Sequence, residues 1–128
     1  MKILLDSHAL LWFGWNDAHL SQKARKIMSD SENELLFSSG CMWELAIKAS
    51  LGKLKLMADY RAFMQQAIER LDLMLLPISL EHTARLAALP LHHRDPFDRL
   101  LAAQAIVEQV PILSADIAFD AYPVNRVW

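Results

Sequence analysis

Four short apolar runs recur along this chain: KILL (2–5), ELLFSS (34–39), LMLLPI (73–78) and VPILSA (110–115). Apolar runs of this length without polar alternation suit strands covered on both faces rather than one. The segments between them have helical patterning. SHALLWFGW (7–15) follows Asp6 as a cap, and SQKARKIMSD starts from a capping Ser21. MWELAIKASL (42–51) stops at Gly52, and DYRAFMQQAIERL (59–71) begins with Asp59 as its cap. SLEHTARLAAL (79–89) has Ser79 as cap and His82 in its first turn, DPFDRLLAAQAIVEQ (95–109) is the strongest helix, and VNRVW (124–128) is a last short strand. Strands alternating with helices across short polar connections predict an α/β layered domain around a mainly parallel sheet. Such sheets bind ligands outside the carboxyl ends of their strands.

The length of 128 residues fits one domain over 1–128, large enough for a real core. With 54% hydrophobic and 22% charged residues the chain is globular rather than disordered. The formal charge of −2 gives no sign of a polyanion partner. That average conceals a modestly basic remainder if several of the acids gather in one pocket. Cys41 is the only cysteine, so no intrachain disulfide forms and a thiolate metal site lacks partners. Asp6 and His8 interrupt the apolar N-terminus, which therefore lacks a signal-peptide layout, and no segment approaches the roughly 20 apolar residues of a spanning helix. The expectation is a cytoplasmic protein that does not enter membranes.

Acids stand at the places where such a sheet binds ligands. Asp6 follows the first strand and Asp116 the late strand ILSA; each also suits a helix cap. Glu44 lies among apolar neighbours in CMWELAIK, where a surface pair with Lys48 at i, i+4 explains it equally well. In HHRDPFDR (92–99), Asp95 at N-cap, Pro96 at N1 and Asp98 at N3 make a favourable helix start with both charges at the positive end of the helix dipole. Asp6 and Asp116 end strands, and Glu44 and Asp98 are expected in the first turns of helices on the same side of the sheet. Carboxylates brought together there need a cation, and hard oxygen ligands select Mg²⁺ or Mn²⁺. Such a site suits metal-assisted phosphodiester hydrolysis.

Four blocks in order, ILLDSHALLW, WELAIKASLGKL, LPLHHRDPFDRLLAAQA and ILSADIAFDAYPVNRVW, together resemble a PIN-domain ribonuclease of the VapC toxin type, the toxic half of bacterial toxin–antitoxin pairs. The resemblance spans the whole chain. It implies a three-layer α/β/α sandwich, Mg²⁺- or Mn²⁺-dependent endoribonuclease activity and inhibition by a cognate antitoxin. It makes Asp6, Glu44, Asp98 and Asp116 the first to fourth acids of the site, with Asp95 an auxiliary acid. Direct ligation is assigned to Asp6 and Asp98, ligation often through water to Asp116, and orientation or activation of water to Glu44. One departure is Cys41, which stands three residues before Glu44 where similar sequences carry a capping Ser or Thr. Either the helix start there is looser, or Ser38 or Ser39 supplies the polar contact.

Arg94, Arg99 and Lys48 are the cations considered for RNA phosphate, although Arg99 equally suits an i, i+4 pair with Asp95. Lys53 and Lys55 read mainly as a solvated rim. His92 and His93 read mainly as exposed or capping loop residues, since an oxygen-rich magnesium site needs no histidine acid. Trp12, Phe13, Trp15, Trp43 and Trp128 offer more aromatic surface than a small core hides, which suits a homodimer face and an antitoxin groove. KLKLM (53–57) is either an alternating piece near that groove or a connecting turn. A receiver-like phosphoacceptor domain is disfavoured: LLDSH has one acid, LMLLPIS ends without one, and no lysine follows Lys55. Only Gly14, Gly40 and Gly52 are present, so no glycine-rich phosphate loop exists. A PIN-like module without catalysis is disfavoured by the intact acids.

Overall fold

A computed structural model describes residues 1–56 and 58–128. Five strands, β1 (Lys2–Leu5), β2 (Glu34–Ser38), β3 (Met74–Leu76), β4 (Ile112–Leu113) and β5 (Arg126–Val127), form one sheet in the order β3-β2-β1-β4-β5. Every neighbouring pair is parallel, with Leu4 opposite both Leu36 and Ile112. Among the described residues six helices connect and cover them: α1 (Ser7–Gly14), α2 (Gln22–Ser29), α3 (Ser39–Ser50), α4 (Tyr60–Leu71), α5 (Leu80–Ala88) and α6 (Pro96–Glu108). A 3-10 helix (Ile117–Ala121) joins β4 to β5. The arrangement is the expected α/β/α sandwich.

The centre of the sheet is the centre of the core. Ile3, Leu4 and Leu5 are fully buried on β1, as are Phe37 on β2 and Ile112 and Leu113 on β4. Each such side chain contributes about 1.5–3 kcal/mol relative to an exposed one. Leu101, Ala102, Ala103 and Ala105 are buried on α6, and the three alanines let that helix lie close. From β1 the chain steps to β2 and β3 on one side, then crosses back to β4 on the other. The direction of winding therefore reverses between β1 and β4, the switch point at which a parallel sheet leaves a crevice at its carboxyl edge.

Two expectations need correction. The run 73–78 reads as a buried strand, but only Met74–Leu76 pairs, and Met74 and Leu75 are exposed. β3 is an edge strand, and a continuous apolar run has the same pattern at an edge as at the centre. Secondly, α3 begins at Ser39 rather than Met42. Ser38 is its cap, accepting the Gly40 N–H at 3.1 Å, so Cys41 lies inside the helix and Glu44 in its second turn. Gly40 permits this early start: a Cβ there would stand 2.4 Å from a Leu100 methyl of α6. Gly52 ends the segment with φ +70°, the left-handed conformation glycine favours. Residues 53–56 are a connection without a strand, and Met57 of the same stretch lies outside the described residues.

The aromatic surface is largely absorbed by the chain itself. Trp12 packs against Trp128 at 5.8 Å and against the rings of His8 and His19, each at 5.4 Å. Trp43 stays 63% exposed, edge-on to Phe97. Among the described residues no helix is long and apolar enough to cross a membrane.

Candidate active site

The switch point places Asp6 directly after β1 and Asp116 just beyond β4. Asp6 caps α1, its Oδ1 facing the His8 N–H at 3.4 Å, while its Oδ2 accepts the Ser114 hydroxyl at 2.6 Å. The Ser114 Oγ in turn accepts the Asp116 N–H at 3.0 Å, so one hydroxyl ties the two strand ends together. Arg126 on β5 donates to the Ser114 carbonyl and holds that corner from the far side. Asp116 caps the 3-10 helix, accepting the Ala118 N–H at 2.9 Å through Oδ1, which leaves Oδ2 facing the crevice.

Glu44 reaches the same edge from α3. The Ser7 hydroxyl donates to its Oε1 at 2.9 Å and the Lys48 ammonium to its Oε2 at 3.1 Å. The surface-pair reading of Glu44 and Lys48 thus holds in geometry, but the glutamate is only 8% exposed. The carboxylate is thus oriented from inside by Ser7, while the Lys48 end of the pair stays open to solvent. Cys41, one turn before Glu44, is buried, and burial pushes its thiol up to about 12, so it stays neutral.

Asp98 enters from α6. Asp95 caps that helix, accepting the Phe97 N–H at 2.8 Å and the Asp98 N–H at 3.3 Å, with Pro96 at N1 as expected. Burial, and then the nearby charges of Asp6 and Asp95, push the Asp98 carboxyl up to about 7. Asp6 is raised as well: desolvation outweighs the Ser114 hydrogen bond and the nearby His8. The acids are crowded with too little positive charge, the electrostatic condition that a hard divalent cation relieves.

His93 also belongs to the site, although its residue type read as a loop histidine. Its Nε2 stands 3.2 Å from Asp98 Oδ2 and 3.5 Å from Asp116 Oδ2. His93, Asp98 and Asp116 offer ligand atoms within 4.8 Å of one another, a group able to hold a metal ion among the described residues. Asp6 and Glu44 flank that group without belonging to it. Tyr122, buried, accepts the His93 N–H through its hydroxyl at 3.0 Å and so sets the loop.

The cations separate. Lys48 is committed to Glu44, and Arg94 is exposed beside the cluster. Arg99 turns away from Asp95: its Nη2 donates to the carbonyls of Leu86 and Leu89 at the end of α5, at 3.3 and 3.1 Å. Neither the expected pair with Asp95 nor a phosphate-facing position is what its guanidinium adopts, because open carbonyls at a helix end lie within its reach. His92 is exposed and rests on the Tyr122 ring at 5.3 Å. Ser7, Ser114 and Tyr122 carry weight that residue type alone does not reveal. Their signal in the sequence is adjacency, since Ser7 follows Asp6 and Ser114 precedes Asp116 by two.

The family model for the PIN domain matches residues 3–125. Among solved structures, VapBC2 from Rickettsia felis bound to a DNA fragment from their promoter superposes with a TM-score of 0.75 at 18% identity, covering 99% of this chain and 98% of that one. DNA-bound VapBC from Salmonella typhimurium gives 0.73 at 17%, covering 99% and 97%. FitAcB from Neisseria gonorrhoeae gives 0.70 at 18%, covering 98% and 96%. At such identities the likeness is one of fold. No curated protein matches the chain.

Proposed function

Because the chain belongs to the PIN-domain family, we propose that it is a Mg²⁺- or Mn²⁺-dependent endoribonuclease, the toxin of a toxin–antitoxin pair, folded as a single domain over 1–128. The observation that carries this reading is the gathering of carboxylates at the β1/β4 switch point, where burial and then the charges of Asp6 and Asp95 push Asp98 up to about 7. The donor set is all hard oxygen apart from His93, which suits those ions over Zn²⁺.

Asp6, Asp98 and Asp116 would hold the cation, with Glu44 beside them. When bound, it supplies Lewis-acid polarisation of the scissile phosphate and a water of lowered pKa. The chain's own groups do the positioning. Ser114 fixes Asp6 and Asp116 relative to one another, and the capped start of α6 holds Asp98 still. Ser7 and Lys48 fix both oxygens of Glu44, which orients the attacking water and accepts its proton. Asp95 serves as cap and auxiliary charge, and exposed Arg94 meets RNA phosphate at the rim.

The structural likeness to VapBC and FitAB proteins supports an antitoxin partner. An apolar cleft between α1 and α4, lined by Phe13, Trp15, Phe63 and Leu71, suits an inhibitor segment. Exposed Met74, Leu75 and Leu80 beside the open edge of β3 suit a second copy, giving a homodimer and, with antitoxin, a hetero-oligomer. The working compartment is the cytoplasm.

The test is cleavage of RNA with Mg²⁺ or Mn²⁺ and with EDTA, comparing the natural chain with Asp6→Asn and Asp98→Asn. We expect chelation to abolish cleavage and each substitution to cost about a hundred-fold or more. Metal-independent cleavage, or full activity in both variants, overturns the reading.

A further inference from the structure

The acids of the crevice have apolar neighbours in the chain. Trp43 directly precedes Glu44 and is 63% exposed, Phe97 directly precedes Asp98 and is partly buried, and exposed Ile117 directly follows Asp116. Successive helix positions lie about 100° apart around the axis, so a helix that turns Glu44 into the crevice presents Trp43 at its rim. α3 and α6 approach closely where Gly40 meets Leu100. One turn from that contact on each helix, Trp43 and Phe97 meet edge-on with ring centroids 5.7 Å apart. Phe97 thus braces the indole, while most of the indole surface stays open. Trp12, Trp15 and Trp128, by contrast, pack against the core.

We propose that Trp43, braced by Phe97, is a stacking platform for an unpaired base of the RNA whose phosphate lies at the acids. This rests on the ribonuclease reading and adds how the strand is held. Phosphate anchors at the crevice are few. Lys48 is bonded to Glu44 and Arg99 is turned to the end of α5, which leaves Arg94 of the cations considered for that role. The formal charge of the chain is −2. Contacts to the charged backbone therefore supply little affinity, and the bases supply the rest. Every base has a π-face, so an open indole holds any of them, whereas a paired base keeps its faces inside the duplex. The platform selects unpaired stretches without choosing a sequence.

The test compares two labelled strands of about twelve nucleotides, a single-stranded RNA of mixed sequence and a strand of equal length built from base-less sugar–phosphate units. Binding to the full chain is read by fluorescence anisotropy in EDTA and, at early times, in Mg²⁺. The natural chain is expected to hold the base-bearing strand about ten-fold more tightly than the base-less one. Trp43→Ala and Trp43→Leu should lose that preference and Trp43→Phe should keep most of it, since the ring face and not apolarity is what a base stacks on. The base-less strand should bind the natural chain and Trp43→Ala alike. The salt dependence of RNA binding should keep its slope in Trp43→Ala, because an uncharged ring releases no counterions. A preference that survives in Trp43→Ala overturns the inference and leaves the ribonuclease reading standing. So does an equal loss of both strands accompanied by a lower urea midpoint, which makes the aromatic pair a staple between α3 and α6. Dissociation of a dimer by Trp43→Ala in sedimentation, with RNA binding unchanged, assigns the ring to a second copy and also overturns it. Binding of neither strand to the natural chain in either buffer removes RNA as the ligand, and the platform with it.

Discussion

Two histidines of this chain make the same local hydrogen bonds and serve different ends. His82 on α5 accepts the Ser79 N–H through Nδ1 at 3.0 Å and faces Glu108 of α6 through Nε2 at 2.9 Å. His93, before α6, accepts the Asp95 N–H through Nδ1 and faces Asp98 and Asp116 through Nε2. His82 is 2% exposed, completes a capping box with Ser79, and lies against Gln104, sealing the α5–α6 seam. It has one carboxylate, and every polar contact closes within the two helices. His93 has two carboxylates, with Asp6 and Glu44 behind them, at a crevice open to solvent. A histidine that completes a network stabilises the fold. One that stands between acids at an open crevice belongs to the site rather than to the core.

Removing the seam histidine gives the largest effect on stability. His82→Ala empties a buried ring site, leaves buried Gln104 and the partly exposed Ser79 N–H and Glu108 without their partner, and is expected to cost about 2–3 kcal/mol in chemical denaturation. Cleavage per folded molecule should be unchanged. If His82→Ala instead spares stability and abolishes cleavage, the division between seam and pocket is wrong.

The pocket contributes an effect the seam lacks, in the opposite sense to an ordinary carboxylate. In the folded chain Asp98 gains its proton near about 7, against about 3.9 when unfolded, so between these values the folded state binds more protons. Its contribution to stability is fully present below the unfolded value and is lost as pH rises through 7. Thermal unfolding in EDTA should therefore show a decline between pH 5 and pH 8, on the order of 1–2 kcal/mol, that Asp98→Asn removes. Parallel curves for the two chains would mean that Asp98 is not crowded.

Asp95 gives the smallest effect. Its side chain accepts two backbone N–H groups, and Asn caps as well as Asp, so Asp95→Asn should change stability by only a few tenths of a kcal/mol and keep most activity. A loss of cleavage as deep as that of Asp98→Asn would place Asp95 among the metal-holding acids.

Much of this was legible before any coordinates. The order of strands and helices follows from where apolar runs and capping residues fall, and caps at Asp6, Ser21, Asp59, Ser79 and Asp95 stand where the sequence places them. Asp6, Asp98 and Asp116 are visible because strand ends and helix starts are marked locally, whereas Glu44, in the second turn of α3, is marked only by its apolar neighbours. What was hidden depends on residues distant in the chain. The pairing of Ser114 with Asp6 spans 108 positions and exists only once β4 lies beside β1. The placement of His93 depends on Tyr122, and that of Arg99 on where α5 ends. The early start of α3 is masked by Gly40 and Cys41, poor helix residues by propensity, of which Gly40 suits a close approach to Leu100. The exposure of β3 is a matter of its rank in the sheet, which an apolar run does not encode.

The central claim is that the carboxylates at the β1/β4 switch point hold a divalent cation. Anomalous scattering from crystals of the chain grown with Mn²⁺ tests it most directly. The account predicts a peak coordinated by carboxylate oxygens of Asp98 and Asp116. Saturating Mn²⁺ with no peak between those carboxylates would contradict it.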